Sequence, residues 1–374
     1  MRYIDEFRDP RLCLDRIDRI HARMSALDRR VKIMEICGGH THSIYRYGLP
    51  GLLPYGIEFV HGPGCPVCVV PMGRIDDVRH LAEVEGVTLC AFGDVVRVPG
   101  RNGSLLEAKA RGADVRVVYS PMDALAIAKR EPGRTVVFLG LGFETTTPPT
   151  AATLLRARDE GLENFAVHCN HVLVNPAIRA ILEAPGQDID AFIGPGHVSS
   201  IIGTRGYEFV ARDWAKPLVV SGFEPLDLLT ALEMLLDQLI AGRAEVENQY
   251  TRVVTESGNP KAQDLTSAVF AVRPHFEWRG LGSIPHSALA IRPELAAWDA
   301  EARFEMPGVK LEDARACQCG DILKGVKKPW ECRVFATACT PEHPIGTCMV
   351  SAEGACAAYY SYGRHAVDTR TEAM

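Results

Sequence analysis

Short runs of Val, Ile and Leu recur along the first 220 residues and alternate with stretches whose apolar positions follow the helical period. "VKIMEI" (31–36), "IEFV" (57–60), "VTLCAF" (87–92) and "VRVVYS" (115–120) are continuous rather than alternating, as in strands buried on both faces of a parallel sheet. Between the last two, "SLLEAKARGA" predicts a helix that stops at Gly112. The pattern restarts after the "REPGR" break at 130–134. "TVVFLGLGF" (135–143) predicts a strand and a glycine turn, followed by the helix "PPTAATLLRARDEG", which opens on prolines. "FAVHCN" (165–170) and "AFIGPGH" (191–197) predict strands around the helix "NPAIRAILEAPG", and "PLVVSGF" (217–223) closes the series. Upstream, residues 9–27 form a helix pattern in which Asp9 can cap, Pro10 suits the first turn, and Leu14, Ile17, Met24 and Leu27 share a face. From Pro225 a long amphipathic helix precedes irregular sequence. The expected fold is α/β: two doubly wound, Rossmann-like parallel-sheet domains at 30–130 and 131–222. A third, mostly helical and irregular domain comes from 1–29 and 223–374, its C-terminal part packing with the N-terminal helix. Ligands in such sheets gather at loops after the carboxyl ends of the strands, and Cys37, Cys65, Glu144 and His197 stand there.

Composition narrows the function classes. A chain of 374 residues with 47% hydrophobic and 24% charged residues has the profile of a globular protein of two or three domains. The net charge of −6 and the lack of a basic block argue against nucleic acid as a partner. "MRYIDEFRDP" has no apolar core of a signal peptide, and no stretch reaches the roughly 18 apolar residues of a membrane span. A cytoplasmic protein that does not enter membranes is expected. Twelve cysteines then point to metal or redox chemistry, because structural disulfides are rare in that compartment.

Their placement is specific. In "HGPGCPVCVVP", glycines permit a sharp turn off a strand and Pro66 suits the first position of a helix, so Cys65, with Cys68 three residues on, sits near unpaired N–H groups that favour a thiolate. Half of a zinc site or two buried thiols are the alternatives; a zinc site needs a second nearby pair, which is missing at the usual spacing. "EICGGHTHS" puts Cys37 at a strand end with His40 and His42 after two glycines, a soft thiolate beside imidazoles that suits iron, copper, nickel or zinc. "GFETTTPP" places Glu144 and three threonines at a helix start, where capping accounts for most of the threonines. "GPGHVSSIIG" sets His197, and "CNHVLVNP" His171, after other strands. "LGLGF" is only a fragment of a dinucleotide fingerprint, and the sequence holds no P-loop, so nucleotide binding is weakly supported. At the C-terminal end the cysteines run C-x-C-x12-C-x6-C-x8-C-x7-C, from Cys317 to Cys356. Six thiols in this spacing provide four ligands for an iron–sulfur cube and two for a dithiol; a structural zinc is the alternative.

Taken together, "EICGGHTH", "HGPGCPVCVVP", "GFETTTP", "GPGHVSSIIG" and "CQCG…CMVSAEGAC" resemble the HypD family of hydrogenase maturation factors nearly end to end. The resemblance implies two similar α/β domains and a third carrying a [4Fe-4S] cluster. It implies a scaffold, shared with a small HypC-like chaperone, on which iron acquires cyanide and carbon monoxide. A HypE-like protein supplies the cyanide, and the unit passes to the large subunit of [NiFe]-hydrogenase. Carried over residue by residue, Cys37 holds a transient Fe(II), His40 sits beside it, and Cys65 and Cys68 form a dithiol in the interdomain cleft. The C-terminal segment is similar to ferredoxin:thioredoxin reductase, which implies Cys317, Cys332, Cys339 and Cys356 as cluster ligands and Cys319 with Cys348 as a second dithiol. Cys332, Cys339, Cys348 and Cys356 fit the spacing as well. Rival functions are a cluster-fed disulfide reductase, for which "CGGHTH" has no use, and a non-catalytic iron chaperone, which has no use for a cluster.

Overall fold

In the computed structural model, which describes residues 4–308 and 316–363, the Val- and Ile-rich runs become strands of two parallel, Rossmann-like sheets. In chain order these strands are β1 (Val31–Glu35), β2 (Ile57–His61), β3 (Val87–Ala91), β4 (Val115–Val117) and β5 (Thr135–Gly142). They continue with β6 (Phe165–His171), β7 (Ala191–Pro195), β8 (Leu218–Ser221) and β9 (Val246–Asn248). The first sheet has the order β2–β1–β7–β8–β9 and the second β4–β3–β5–β6. Every pairing in both is parallel. Local capping follows the sequence signals. Asp9 accepts from the Arg11 N–H ahead of helix Pro10–Leu27, Ser104 caps Leu105–Ala110, and Ser120 caps Pro121–Arg130.

The sheets are interleaved along the chain, which departs from contiguous units at 30–130 and 131–222. β1 pairs with β2 and β7, and β7 with β8, so β1 and β2 join these later strands rather than β3 and β4, while the chain from β3 to β6 between them forms the second sheet. Apolar periodicity marks a strand; its partner is chosen by long-range burial that a local pattern does not encode. A second difference concerns the ends of the chain. Helices Pro10–Leu27 and Pro225–Ile240 pack together as expected, but they cover the first sheet: Ile17, Ile20, Leu228 and Leu232 share one apolar core with Ile33, Ile193 and Val219. They therefore belong to that layer rather than to the cysteine-bearing region of 1–29 and 223–374; residues 1–3, 309–315 and 364–374 of that expected domain lie outside the described residues.

This topology creates two crevices at the carboxyl ends of the strands. In the first sheet the strand order reverses between β1 and β7, and in the second between β3 and β5. Cys37 follows β1, and His197 follows β7 at the start of helix Gly196–Ile202. Glu144 follows β5. The cysteine segment from 317 onward consists of short turns packed against helix Gly38–Arg46 and the turn Pro66–Val69. No helix among the described residues is long and apolar enough to cross a membrane.

Ile20 is fully enclosed between the two covering helices and the first sheet. Ile20→Ala should cost about 2–5 kcal/mol in denaturant unfolding followed by circular dichroism. The number of thiols titrated in the native protein should stay unchanged.

Candidate metal and thiol centre

Cys37 occupies the position just before helix Gly38–Arg46, with extended backbone (φ −154°). The N–H groups of Gly39 and His40 point at its sulfur and favour the thiolate, but burial and the carboxylates of Glu353 and Glu35 push its pKa far up. The His197 Nδ1 lies 3.9 Å from Cys37 Sγ on the solvent side. His40 is fully buried, its Nε2 donating to the Ser221 carbonyl at 3.1 Å while Nδ1 has no hydrogen-bond partner. Burial lowers its pKa to about 4, so the ring is neutral at physiological pH. Phe223 stacks on His197 at 3.9 Å and leans on His40 at 4.8 Å, forming a lid over both imidazoles. His42 instead points outward, its Nδ1 3.3 Å from the Ala352 carbonyl.

Beneath Cys37 lies a network that sequence reasoning missed. Glu35 is wholly buried, and its Oε2 accepts from the Cys37 N–H at 2.9 Å. Its Oε1 accepts from Thr41 Oγ1 and lies 2.8 Å from His61 Nδ1. His61 Nε2 in turn meets the Tyr45 hydroxyl at 2.8 Å. A polar residue closing an apolar strand was the available signal in "VKIMEI".

The loop after β2 reaches Cys37 through glycine. Gly38 N–H donates to the Gly64 carbonyl at 3.1 Å, and a Cβ on Gly64 would collide with the Cys37 main chain, so only glycine permits this approach. Cys65 precedes, and Cys68 lies within, a helix of only four residues, Pro66–Val69. Burial raises the Cys68 thiol strongly. The Cys348 thiol is lowered instead, because Cys319 and Cys68 both hydrogen-bond to its sulfur and together outweigh desolvation. The remaining contacts extend this line. Cys68 hydrogen-bonds to Cys65, Cys356 to Cys319, and Cys317 Sγ lies 3.1 Å from Cys319 Sγ. Thr347 Oγ1 ties the two segments by donating to the Cys68 carbonyl at 2.7 Å. The structure thus brings Cys65, Cys68, Cys348, Cys319 and Cys356 into one buried series, with the half-buried Cys317 at its end. All twelve cysteines are unpaired.

Among the described residues, no three His, Cys, Asp or Glu side chains converge as a mononuclear metal site requires. The C-terminal donors have a different character. A cube interposes its own iron and sulfide, so it calls for separated thiols rather than a point of convergence. Cys317, Cys332, Cys339 and Cys356 are soft donors within or against one apolar core. The Ile345 N–H points at Cys339 Sγ, 3.3 Å away, as in sulfur-stabilising cluster environments. Gly346 leaves the sulfurs room: a Cβ there would overlap Cys317 Sγ and lie 2.6 Å from Cys319 Sγ. These residues fit a four-thiolate cluster.

Glu144 stands on the opposite wall. Its Oε1 accepts from the Val174 N–H at 3.0 Å, while Oε2 is buried without a partner, and burial raises the carboxyl to about 7. Burial, with the charges of Glu144 and Cys37, holds the Tyr207 hydroxyl well above its usual range, and that hydroxyl is hydrogen-bonded to Ser199 Oγ at 3.0 Å. The neighbouring threonines donate to carbonyls: Thr146 and Thr147 both bond Phe143 O at 3.1 Å. His171 is buried, 3.0 Å from Thr150 Oγ1, and is held neutral with a pKa near 4.

Comparison with known proteins now bears on this arrangement. A family profile described as "Hydrogenase formation hypA family", HypD, matches residues 11–363. The chain belongs to the HypD family. It is 54% identical to Hydrogenase maturation factor HypD of Cupriavidus necator, covering 97% of this chain and 98% of that protein. Identity is 55% to the HypD of Rhizobium leguminosarum bv. viciae, over 97% of this chain and 96% of the relative. For Escherichia coli (strain K12) HypD it is 51%, over 97% and 98%. Hydrogenase maturation is therefore the process in which this HypD-family chain takes part.

The Glu144 carboxyl gives a pH signature. Its folded pKa, about 7, exceeds the ordinary 4.5, so its stabilising contribution is full below about 4.5 and is lost as pH rises through 7. Glu144→Gln should match the parent at pH 4.5 and be more stable at pH 8, by at most about 3 kcal/mol in denaturant unfolding.

Proposed function

We propose that the chain is the redox-active scaffold on which the iron of [NiFe]-hydrogenase receives its cyanide and carbon monoxide ligands. The observation that carries this reading is the run of thiols from the half-buried Cys317 and the buried Cys356 to Cys65, beside the loop that holds Cys37. Iron is the substrate, and Cys37 is its ligand from this protein. A single protein thiolate leaves positions open for strong-field diatomics, and a second thiolate from a HypC-like chaperone lets the loaded iron leave when the partners separate. A HypE-like protein supplies the cyanide, and the unit goes on to the hydrogenase large subunit. Cys37 is protonated until iron arrives, because burial, with Glu353 and Glu35, disfavours a free thiolate. Its proton has an exit through His197 Nδ1 at the cleft surface.

A [4Fe-4S] cluster held by Cys317, Cys332, Cys339 and Cys356 supplies single electrons when bound. Cys319 and Cys348 form the adjacent dithiol; their sulfurs are in contact, whereas a cluster set containing Cys348 would remove the thiol that reaches Cys68. The Cys348 thiolate attacks Cys68 of a Cys65–Cys68 disulfide and releases the Cys65 thiolate. Cys319 then attacks Cys348 and releases Cys68, so two electrons move to the dithiol facing Cys37 and the inner pair becomes the disulfide. His40, neutral and with Nδ1 free, orients the iron or its ligands.

Cys37→Ala should leave the brown cluster and the fold intact. It should abolish Fe–CN and Fe–CO infrared bands in protein co-purified with HypC and leave hydrogenase immature. Full bands in that variant would place the iron elsewhere and favour a disulfide reductase, for which the thiol series alone suffices. Cys339→Ser should bleach anaerobically prepared protein; stoichiometric zinc in the parent would refute the cluster.

A further inference from the structure

The half-buried Phe223 ring at the mouth of the first crevice is gripped from three sides. Two of the grips are glycines. A Cβ on Gly39 would lie 2.9 Å from the ring's Cε1, and one on Gly196 3.1 Å from its Cε2 and 2.3 Å from the Ser221 carbonyl. Neither glycine has a positive φ, so both are needed for room rather than for conformation. The third grip is Tyr250, whose ring meets Phe223 edge-on with centroids 6.0 Å apart. Tyr250 is backed in turn by the Arg252 guanidinium, 4.5 Å from its centroid, and Arg252 Nη1 donates to the wholly buried Asp227 Oδ1 at 2.7 Å. The main chain on either side of Phe223 is pinned to the same group. The Gly222 N–H donates to Gln249 Oε1 at 3.1 Å, the Glu224 N–H to Asp227 Oδ2 at 3.2 Å, and Gln249 Nε2 to Asp227 Oδ1 at 2.9 Å.

We propose that Phe223 is the positioning residue of His197, keeping its Nδ1 turned to the Cys37 sulfur. His197 is exposed, and among the described residues its ring makes one polar contact, the 3.9 Å from Nδ1 to Cys37 Sγ. A lone contact of that length does not fix an exposed imidazole, whose χ2 well is broad and two-fold. The stack on Phe223 does, with centroids 3.9 Å apart and planes 23° from parallel. Such a pair favours its arrangement by about two- to tenfold. Volume alone would not serve, because an aliphatic side chain fills the space between the glycines but offers the imidazole no flat face. The clamp also explains why both histidines of the first crevice, His40 and His197, directly follow a glycine that touches this ring. The use made of the contact, passage of the thiol proton to Nδ1 as the S–H bond gives way to a bond between sulfur and iron, rests on the reading that Cys37 is the iron ligand.

The test is proton–nitrogen correlation NMR of the full chain with nitrogen-labelled histidine, prepared anaerobically at pH 8, where imidazoles are neutral. The His197 Nδ1 resonance, assigned by its loss in H197Q, should move when C37A is introduced. In the F223L background the same C37A step should move it at most about half as far, since the stacking preference is gone. F223Y, which keeps the ring, should preserve the full response. The proposal is overturned if F223L responds like the parent, if F223Y loses as much as F223L, or if C37A leaves the resonance unmoved in the parent. Where F223L fails to fold by circular dichroism, G39A takes its place, because its added Cβ displaces the ring. A weakened response in G39A sustains the proposal and an unchanged one overturns it. Survival of the Fe–CN and Fe–CO infrared bands in C37A would refute the iron reading and leave the NMR outcome in force, so the two failures are told apart.

Discussion

The carboxylate of Glu35 has no access to water, and the geometry of the loop that bears Cys37 depends on how it is satisfied. A buried anion is tolerated only when donors surround it. Here the donors come from three places: the main chain of Cys37, the first turn of the following helix through Thr41, and the end of β2 through His61. Each donor is thereby fixed relative to the others. The loops leaving β1 and β2 consequently run side by side, and Gly64 can rest against Cys37. The tie from His61 to Tyr45 carries the same constraint into the layer that holds Tyr359 and the C-terminal turns.

The electrostatics around Cys37 oppose each other by design of position. Two N–H groups at a helix start favour a negative sulfur, and two carboxylates with burial oppose it more strongly. A thiol in that balance is a poor nucleophile and resists adventitious alkylation or oxidation. A cation at the sulfur would invert the balance, since it supplies the charge that the carboxylates demand. Selectivity for a metal over other electrophiles follows from that asymmetry.

Much of this was legible in the sequence. Strands β1 to β8 lie where continuous apolar runs stood, and the residues after β1, β2, β5 and β7 are the ones that line the two crevices. Strand partnership was not legible, because the segment from β3 to β6 is inserted between halves of the first sheet and nothing in a local period reports that. Glu35, His61 and Glu353 escaped notice because single polar residues inside apolar or glycine-rich stretches have no spacing to betray them. The lowering of Cys348 was not legible either, because it comes from sulfur contacts that only folding makes.

Interleaving has a consequence for how the protein is made. Cys37 lies near the start of the chain, but its neighbours His197, Phe223 and Glu353 arrive late in synthesis. The first sheet lacks its central pairing until β7 has emerged, so the ordering of that sheet waits on contacts about 160 residues apart in sequence. Until then the thiol sits on an unfinished edge, without its carboxylate and aromatic neighbours. The surroundings of Cys37 are therefore complete only when the last segment docks, so a truncated or nascent chain leaves this thiol less enclosed than the finished fold does.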